Sequence, residues 1–521
     1  MRPLWADERR LAGMFHDLDP AAMIAQWQEA QKAFWSAAGG QPAFADADAF
    51  ASSDWQAFDA LTAQFLDVFP DQQGALWQQA HRAAGRYRDV LVGAWARVQT
   101  AFEAQRRAMH TPSGPPTDWR VLRDRWFDLA EAEFIRTQRS PEFLEVLRDV
   151  VRAGAALWSA APSEAREAAR LRREAQRTAM QTMDHLGIGG VAIAETPKDR
   201  VWQDGKVTLS RYQPFEGVAN TLGPVLICHG LIGRQTMTDL RPDRSMVRQL
   251  LASGVDVFVL DWGSAGPEDA ANGMDHYAGE VIPEAIQAAL AASDSQRLTL
   301  FGICQGGTMA ACHAARRMGD LNGLILAVAP IDFHADIHDA DPAHGLLNLW
   351  IRSLTPEDHE ALLGMEDNLS GELLGQIFNQ LNPIRTLAKY SVEMLATAND
   401  PQALTTFVAM EKWLADRPDL PGALARTWLG ELYRDNALTE GRFRLCGEVV
   451  DLARIDVPVL NVFATGDHIV PPPCSRALGR FLQGGDYQEL ALPSGHIGAF
   501  VGARSQVLLA PAITTWLGQR L

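Results

Sequence analysis

The first third of the chain carries large apolar residues at the spacing of amphipathic helices. They recur every three or four positions at Met23, Trp27, Ala30 and Phe34 and at Trp55, Phe58, Leu61, Phe65 and Phe69. This spacing places them on one face of a helix. A longer segment carries Trp77, Leu91, Trp95, Val98 and Phe102. The longest helix is predicted from about Leu76 to about Met109. Two more follow, one opening near Asp118 and one at Ser140-Pro141, an N-cap with proline at the first helical position. We interpret the aromatic stripes mainly as helix–helix core.

From about residue 200 the pattern changes to short apolar runs separated by helical segments. Val201–Tyr212 alternates around Asp204-Gly205, which predicts a tight hairpin. Further strands are predicted at residues 224–228, 255–262, 297–302, 323–329 and 457–463. Continuously apolar strands that alternate with helices indicate a parallel sheet covered on both faces. Between Ile331 and Val450 only helices are predicted, an insert placed where a lid over an active site would lie.

Length and composition fit two domains and narrow the class of partner. We expect a helical region over residues 1–180 and an α/β domain over residues 181–521, with the insert at 331–450. The formal net charge of -17 argues against a nucleic-acid partner. The chain has no apolar stretch near the roughly 20 residues that span a bilayer, and its charged N-terminus lacks a signal core. We therefore expect no transmembrane segment and a cytoplasmic location.

The clearest chemical feature is Gly302-Ile303-Cys304-Gln305-Gly306, between a predicted strand and a helix predicted over Thr308–Arg317. This is the nucleophile-elbow pattern of α/β-hydrolases, in which a tight turn presents the nucleophile at the edge of the sheet. Glycine on both sides, Gly302 and Gly306, avoids collisions in that turn. The alternative is a strand-to-helix turn that holds a buried structural cysteine.

Two later residues complete the order nucleophile, acid, histidine of that fold. Asp467 follows the predicted strand 457–463, and His496 comes 29 residues after it. Taken singly, Asp467 could be a turn residue and His496 a surface-loop histidine; their joint placement with the elbow favours a catalytic triad. His468 is interpreted as structural or supporting, because its neighbour Asp467 should orient His496.

An oxyanion hole is expected beside the elbow. One donor should be the backbone N–H of Gln305, and the other that of Leu231 or Ile232, in the loop that follows the strand 224–228.

The five scattered cysteines indicate neither a disulfide framework nor a zinc ribbon, so their thiols should be reduced. Cys312, Cys446 and Cys474 are expected to be packing residues. A thiolate exchanges readily with a thioester, so cysteine at the elbow favours acyl transfer from CoA esters over simple hydrolysis.

These motifs resemble a known family, the polyhydroxyalkanoate synthases, and specifically the catalytic subunit of the two-subunit (class III) type. The shared segments are KVTLSRYQP, DLRPDRSMVRQLLASGVDVFVLDWG, FGICQGGT, AVAPIDFH, MEKWLADRPDLPG, GDHIVPP and SGHIG. MEKWLADRPDLPG (Met410–Gly422) is the most specific, because hydrolase chemistry in general does not require it. The segment Arg123–Leu147 is similar to the helical partner subunit, so the chain looks like a fusion of helper and catalyst.

The sequence departs from the family pattern at two places. Gly233-Arg234-Gln235 stands where the family usually has Asn-Arg-Pro. Asp261-Trp262-Gly263 is followed by Ser264-Ala265-Gly266 where the family usually continues with Tyr-Pro. Both bear on substrate chain length and rate rather than on the reaction class.

The resemblance implies an acyltransferase that polymerises 3-hydroxyacyl-CoA, most simply 3-hydroxybutyryl-CoA, through Cys304, with Asp467 and His496 as the other triad members. No metal or other cofactor is implied, since CoA arrives with the substrate. The implied partners are the growing polyester chain, the surface of cytoplasmic polyester granules, which the aromatic helical region would suit, and a second copy of the chain. The rivals are a thioesterase or polyester depolymerase of the same fold and a granule-coating protein without activity.

Overall fold

The computed structural model describes residues 74–108, 119–162, 191–365, 367–389, 397, 400–482 and 485–520. The helices predicted around Met23 and Trp55, and the predicted domain boundary at residue 180, lie outside these residues. The chain forms two compact units, one of Met1–Arg173 with Asn379–Phe407 and one of Glu174–Phe378 with Val408–Leu521. Part of the predicted insert therefore belongs to the first unit.

Three long helices make up most of the described first unit. They are α1 (Ala75–Ala108), α2 (Trp119–Gln138) and α3 (Pro141–Ala160). The predicted helix starts and ends agree with these bounds to within about two residues. The N-cap of α3 is confirmed, because the Ser140 hydroxyl accepts a hydrogen bond from the Phe143 N–H at 3.2 Å.

Aromatic side chains fill the space between these three helices. The Trp95 ring meets Trp126 at 5.1 Å and Phe134 at 6.5 Å between ring centroids, both edge to face. All three are almost fully buried, as is Phe143. The helix–helix interpretation of the aromatic stripes is thus confirmed for the described helices. These particular rings are not available to a granule surface.

The second unit is built on one sheet of eight strands within the described residues. The strands are β1 (Lys198–Asp204), β2 (Val207–Tyr212), β3 (Pro224–Cys228), β4 (Asp256–Asp261), β5 (Leu298–Ile303), β6 (Leu321–Ala327), β7 (Val459–Ala464) and β8 (Tyr487–Leu492). Their spatial order is β1-β2-β4-β3-β5-β6-β7-β8. Strands β3 to β8 are parallel, β1 runs in the same direction as these strands, and β2 runs in the opposite direction between β1 and β4.

The predicted hairpin and the predicted strands are confirmed, but β8 was missed. The hairpin turns at Gly205, which has a φ of 52°. Strand β8 lies at the edge of the sheet and is mostly exposed, so it lacks the continuous apolar run that marks a buried strand. The predicted insert lies between β6 and β7.

Helices cover the sheet and form most of the insert. They are α4 (Met246–Ala252), α5 (Ile282–Ser293), α6 (Gln305–Ala315), α7 (Leu346–Ser353), α8 (Pro356–Leu363), α9 (Gly371–Leu381), α10 (Pro383–Ala388), α11 (Pro401–Ala415), α12 (Gly422–Arg426), α13 (Pro472–Arg476), α14 (Gly498–Val501), α15 (Ala503–Gln506) and α16 (Leu509–Gly518). Two π-helical segments, Asp275–Val281 and Thr427–Arg434, adjoin α5 and α12. No helix in the described part of the chain is long and apolar enough to cross a membrane.

The insert segment in the first unit is fixed to α2 by side chains. The Gln138 carboxamide donates to the Gln380 carbonyl at 2.6 Å, and the Asn382 carboxamide donates to the Glu131 carboxylate at 2.8 Å. Short two-residue β pairs also occur in the predicted insert. Among the described residues of this region, the all-helical prediction holds apart from these pairs.

Candidate active site

Cys304 occupies a strained turn at the carboxyl end of β5. Its backbone angles are φ 53° and ψ -123°, and α6 begins at the next residue, earlier than the predicted Thr308. A residue with a side chain held at positive φ costs about 1–3 kcal/mol, and such strain is concentrated at functional sites. The N-terminus of α6 favours negative charge on the sulfur.

Glycines make this turn possible. A Cβ atom on Gly306 would lie 2.1 Å from the Cys228 carbonyl oxygen, and one on Gly302 would lie 2.4 Å from the Gly307 Cα. Real Cβ atoms do not approach backbone so closely. The two glycines that flank Cys304 therefore allow β5, α6 and the end of β3 to meet in one tight turn.

His496 and Asp467 come together at the same edge of the sheet as Cys304. Asp467 follows β7 and His496 follows β8, so parallel strands bring both side chains to the carboxyl edge where β5 ends. His496 Nδ1 lies 2.7 Å from Asp467 Oδ2. The other carboxylate oxygen accepts the N–H groups of Ile469 and Val470, both at 2.9 Å. The buried carboxylate is thus fixed and directs the imidazole.

The surroundings of His496 favour its protonated form. Burial lowers its pKa, but the negative charge of Asp467, then that of Cys304, and hydrogen bonds to both raise the pKa well above its ordinary value. The His496 side chain is 13 % exposed. A histidine that holds a proton beside the cysteine sulfur is suited to stabilise a thiolate.

The five cysteines, all within described residues, are free. Cys228, Cys312 and Cys474 are buried, and burial raises the pKa of the Cys312 thiol to about 12. Cys304 is half-buried and open enough to meet a substrate. Cys446 is exposed at a positive-φ turn between two short strands, and its Sγ packs against Gly279, where no room is left for a Cβ.

The predicted oxyanion loop packs directly against the elbow. A Cβ on Gly230 would lie 3.3 Å from the Gln305 nitrogen and 3.6 Å from the Cys304 Cβ. The Leu231 N–H donates to the Gln305 carboxamide oxygen at 3.1 Å. Leu231 is therefore not available as an oxyanion donor in this conformation, because its N–H is already bonded. Ile232 is the candidate that remains from this loop.

Sequence reasoning missed three side chains near the site. The Trp262 indole N–H donates to the His229 carbonyl at 2.6 Å and holds the oxyanion loop. Burial, with His496 nearby, lowers the pKa of His229 to about 4, so its ring is neutral. Burial, and then the charge of Cys304, raise the pKa of the Tyr433 phenol above its ordinary value.

Neither Tyr433 nor His468 has a motif that would assign it a role. Tyr433 belongs to the π-helical segment Thr427–Arg434, and its ring packs 4.8 Å from that of Phe333. A π-helical turn in an insert has no simple sequence signal. His468 is half-buried beside Asp467, whose carboxylate bonds His496 instead. Its supporting role stays a prediction.

Comparisons with known proteins agree with this architecture. The family model for the alpha/beta hydrolase fold matches residues 223–503. The chain is 34% identical over 335 residues to the poly(3-hydroxyalkanoate) polymerase subunit PhaC of Thiocystis violacea, covering 64% of this chain and 92% of that protein. It is 36% identical over 336 residues to the subunit PhaC of Allochromatium vinosum, with the same coverage of both chains. The chain therefore belongs to the poly(3-hydroxyalkanoate) polymerase PhaC family, within the α/β-hydrolase fold.

Proposed function

We propose that this protein polymerises 3-hydroxyacyl-CoA into a polyester and carries the acyl chain on Cys304. The observation that supports this best is a half-buried cysteine, not a serine, at the elbow, on the sheet edge that also bears the Asp467–His496 pair. The relatives that cover most of the same unit are named poly(3-hydroxyalkanoate) polymerases. Cysteine chemistry and family membership point to one activity, acyl transfer from a thioester.

In the first half of the reaction, Cys304 is acylated. His496 holds the proton that comes from the Cys304 thiol, and the Cys304 thiolate attacks the carbonyl carbon of the CoA thioester. The tetrahedral intermediate collapses as the carbon–sulfur bond to CoA breaks. The CoA thiolate leaves with the proton held by His496, so free CoA and an acyl-Cys304 thioester result.

In the second half, an ester bond forms. The 3-hydroxyl of an incoming unit or of the growing chain attacks the carbonyl carbon of acyl-Cys304, and His496 accepts the hydroxyl proton. The Cys304 thiolate leaves and takes that proton back. Asp467 stabilises the charged imidazole in both halves, because its carboxylate is buried and fixed 2.7 Å away.

The negative charge that develops on the carbonyl oxygen of the substrate is stabilised by hydrogen-bond donors that are already in place. The Gln305 N–H, at the start of α6, and the Ile232 N–H serve this role in the proposal. These steps use side chains, backbone and substrate alone, with CoA as part of the substrate.

The resemblance to the two-subunit polyhydroxyalkanoate synthases supports the remaining assignments. We propose a cytoplasmic protein that acts at the surface of polyester granules as a homodimer, with residues 1–180 in the role of the helical partner subunit. The described helices of that region form a packed unit with their own core. Deleting residues 1–180 should weaken polymerisation and lengthen its lag, and it would also remove the partners of Gln380 and Asn382. Undiminished polymerisation by the truncated chain would refute the helper role.

The activity is tested with 3-hydroxybutyryl-CoA and the full chain. Released CoA is measured with a thiol reagent, and the product is analysed for polyester and for free 3-hydroxybutyrate. A polymerase releases CoA and makes polymer, whereas a thioesterase of the same fold releases CoA and free acid only. A granule-coating protein without activity releases no CoA. Comparing short and medium acyl chains then defines the substrate range.

A further inference from the structure

We propose that Arg234, Trp413 and Asp416 form a clamp that positions the oxyanion loop, residues 229–235. The loop follows β3 and includes Ile232, whose N–H is the proposed oxyanion donor. Trp413 is near the end of α11, and Asp416 follows it. The insert would thus determine where a catalytic donor lies. This inference rests on the proposed function.

The first part of the clamp is a two-point ion pair. The Arg234 Nε and Nη2 atoms each lie 3.1 Å from one oxygen of the Asp416 carboxylate. The Arg234 side chain is 11 % exposed and that of Asp416 is 26 % exposed. A paired guanidinium and carboxylate fix each other's orientation as well as position, and partial burial protects the pair from screening by salt.

Further hydrogen bonds hold Arg234 at both its ends. Its remaining terminal nitrogen, Nη1, donates to the Gly263 carbonyl at 2.7 Å, just beyond β4. Its own carbonyl accepts the Trp413 indole N–H at 2.9 Å. The backbone of the loop and the tip of the side chain are therefore both tied to residues distant in sequence.

Trp413 also packs closely against Gly233, the residue before Arg234. A Cβ on Gly233 would lie 2.8 Å from Trp413 Cζ2, so the indole lies directly on the backbone of the loop. Gly233 is the residue after Ile232. A shift of the indole would move the peptide beside the proposed donor, since no side chain or gap separates them.

Arg234, Trp413 and Asp416 are accordingly positioning residues, not catalytic ones. An oxyanion donor works only when it lies within a few tenths of an ångström of its place. The opposite donor, Gln305, is fixed at the start of α6. The clamp holds the Ile232 side of the hole at a set distance from it. Releasing the clamp should slow acylation without weakening the binding of the substrate.

The test compares Asp416→Asn with wild type in the full chain. We expect kcat for CoA release from 3-hydroxybutyryl-CoA to fall about tenfold or more, with KM changed much less. Hydrogen exchange of the amides in residues 229–235 should become faster. Asp416→Glu should recover part of the rate, because it keeps the carboxylate. Trp413→Phe should give an intermediate loss, since it keeps the ring but removes its N–H donor.

Two further variants separate positioning from stability. The double variant Arg234→Met, Asp416→Leu removes both charges of the ion pair, so neither partner is left as an unpaired charge. This variant should fold, yet release CoA more slowly than wild type. Glu360→Gln removes an exposed insert carboxylate that pairs with Arg426 at 3.4 Å and is the matched control. The clamp would be overturned if Asp416→Asn had the same kcat for CoA release, and the same hydrogen exchange in residues 229–235, as Glu360→Gln. If wild type released no CoA, the proposed activity would fail, and loop exchange alone would decide the clamp.

Discussion

The carboxamide oxygen of Gln305 accepts the backbone N–H of Leu231 at 3.1 Å. One side chain thereby ties the residue after the nucleophile to the opposite wall of the oxyanion hole. Gln305 contributes its side chain as well as the backbone N–H that the elbow motif predicts. This hydrogen bond inside the site therefore helps, together with the clamp, to set the separation of the two walls.

Replacing Gln305 with leucine tests this tie. The size is kept, but the Leu231 N–H loses its acceptor, which we expect to cost about 1–3 kcal/mol of unfolding free energy and about tenfold in the rate of CoA release. The rate is measured with 3-hydroxybutyryl-CoA and the stability by denaturant titration. Gln287→Leu, at an exposed position of α5, is the control and should change neither. An unchanged rate in Gln305→Leu would show that the tie is dispensable.

Gly306→Ala should disrupt the elbow. The added Cβ would fall 2.1 Å from the Cys228 carbonyl oxygen, so either β3 or the elbow must shift. We expect loss of CoA release of about a hundredfold or more, together with a lower melting temperature. Gly273→Ala is the matched control, because its Cβ would meet only Ala423 at 3.8 Å. Comparable activity in the two variants would contradict the tight-turn account.

The Asp467–His496 pair should make stability depend on pH. The pKa of His496 is raised in the folded protein, so its stabilising contribution is complete below the unfolded value of about 6.5. It is lost as pH rises through the higher folded value. Denaturant titrations of Cys304→Ala, which lacks the nearby thiol, should show this fall. Adding Asp467→Asn should flatten it, and equal slopes for both proteins would contradict the pairing.

The two half-reactions should depend differently on Asp467. Asp467→Asn should still allow Cys304 to be acylated, because a thiol gives up its proton far more readily than an alcohol does. Ester formation should suffer more, since the 3-hydroxyl needs the complete His–Asp relay. Single-turnover acylation and steady-state polymerisation report the two steps separately. Equal losses in both would leave Asp467 as a purely orienting residue.

The sequence alone predicts the elements of the fold whose sequence pattern is local. Buried strands, the hairpin at Gly205 and the cap at Ser140 follow from short-range rules, and all are present. Strand β8 was missed because an exposed edge strand has no apolar run. The exposed position of Cys446 was not predicted, because its place in a short hairpin turn has no apolar signal.

The contacts that tune the site could not be predicted, because they join distant parts of the chain. Arg234 and Asp416 lie 182 residues apart, and Leu231 and Gln305 lie 74 apart. Neither pair has a spacing rule. The motif around Cys304 identifies the turn, and only the fold shows that the Leu231 N–H is already bonded.

In the proposed reaction, Cys304 carries the acyl group. The most direct measurement is mass spectrometry of the protein quenched after brief exposure to 3-hydroxybutyryl-CoA, together with CoA release by Cys304→Ala and by the buried-thiol control Cys312→Ala. We expect the peptide that contains Cys304 to gain the mass of a 3-hydroxybutyryl group. Cys304→Ala should release no CoA. Cys312→Ala should keep most of its turnover and lose about 1 kcal/mol of unfolding free energy. An unmodified Cys304 peptide with CoA release by Cys304→Ala at the wild-type rate would contradict it.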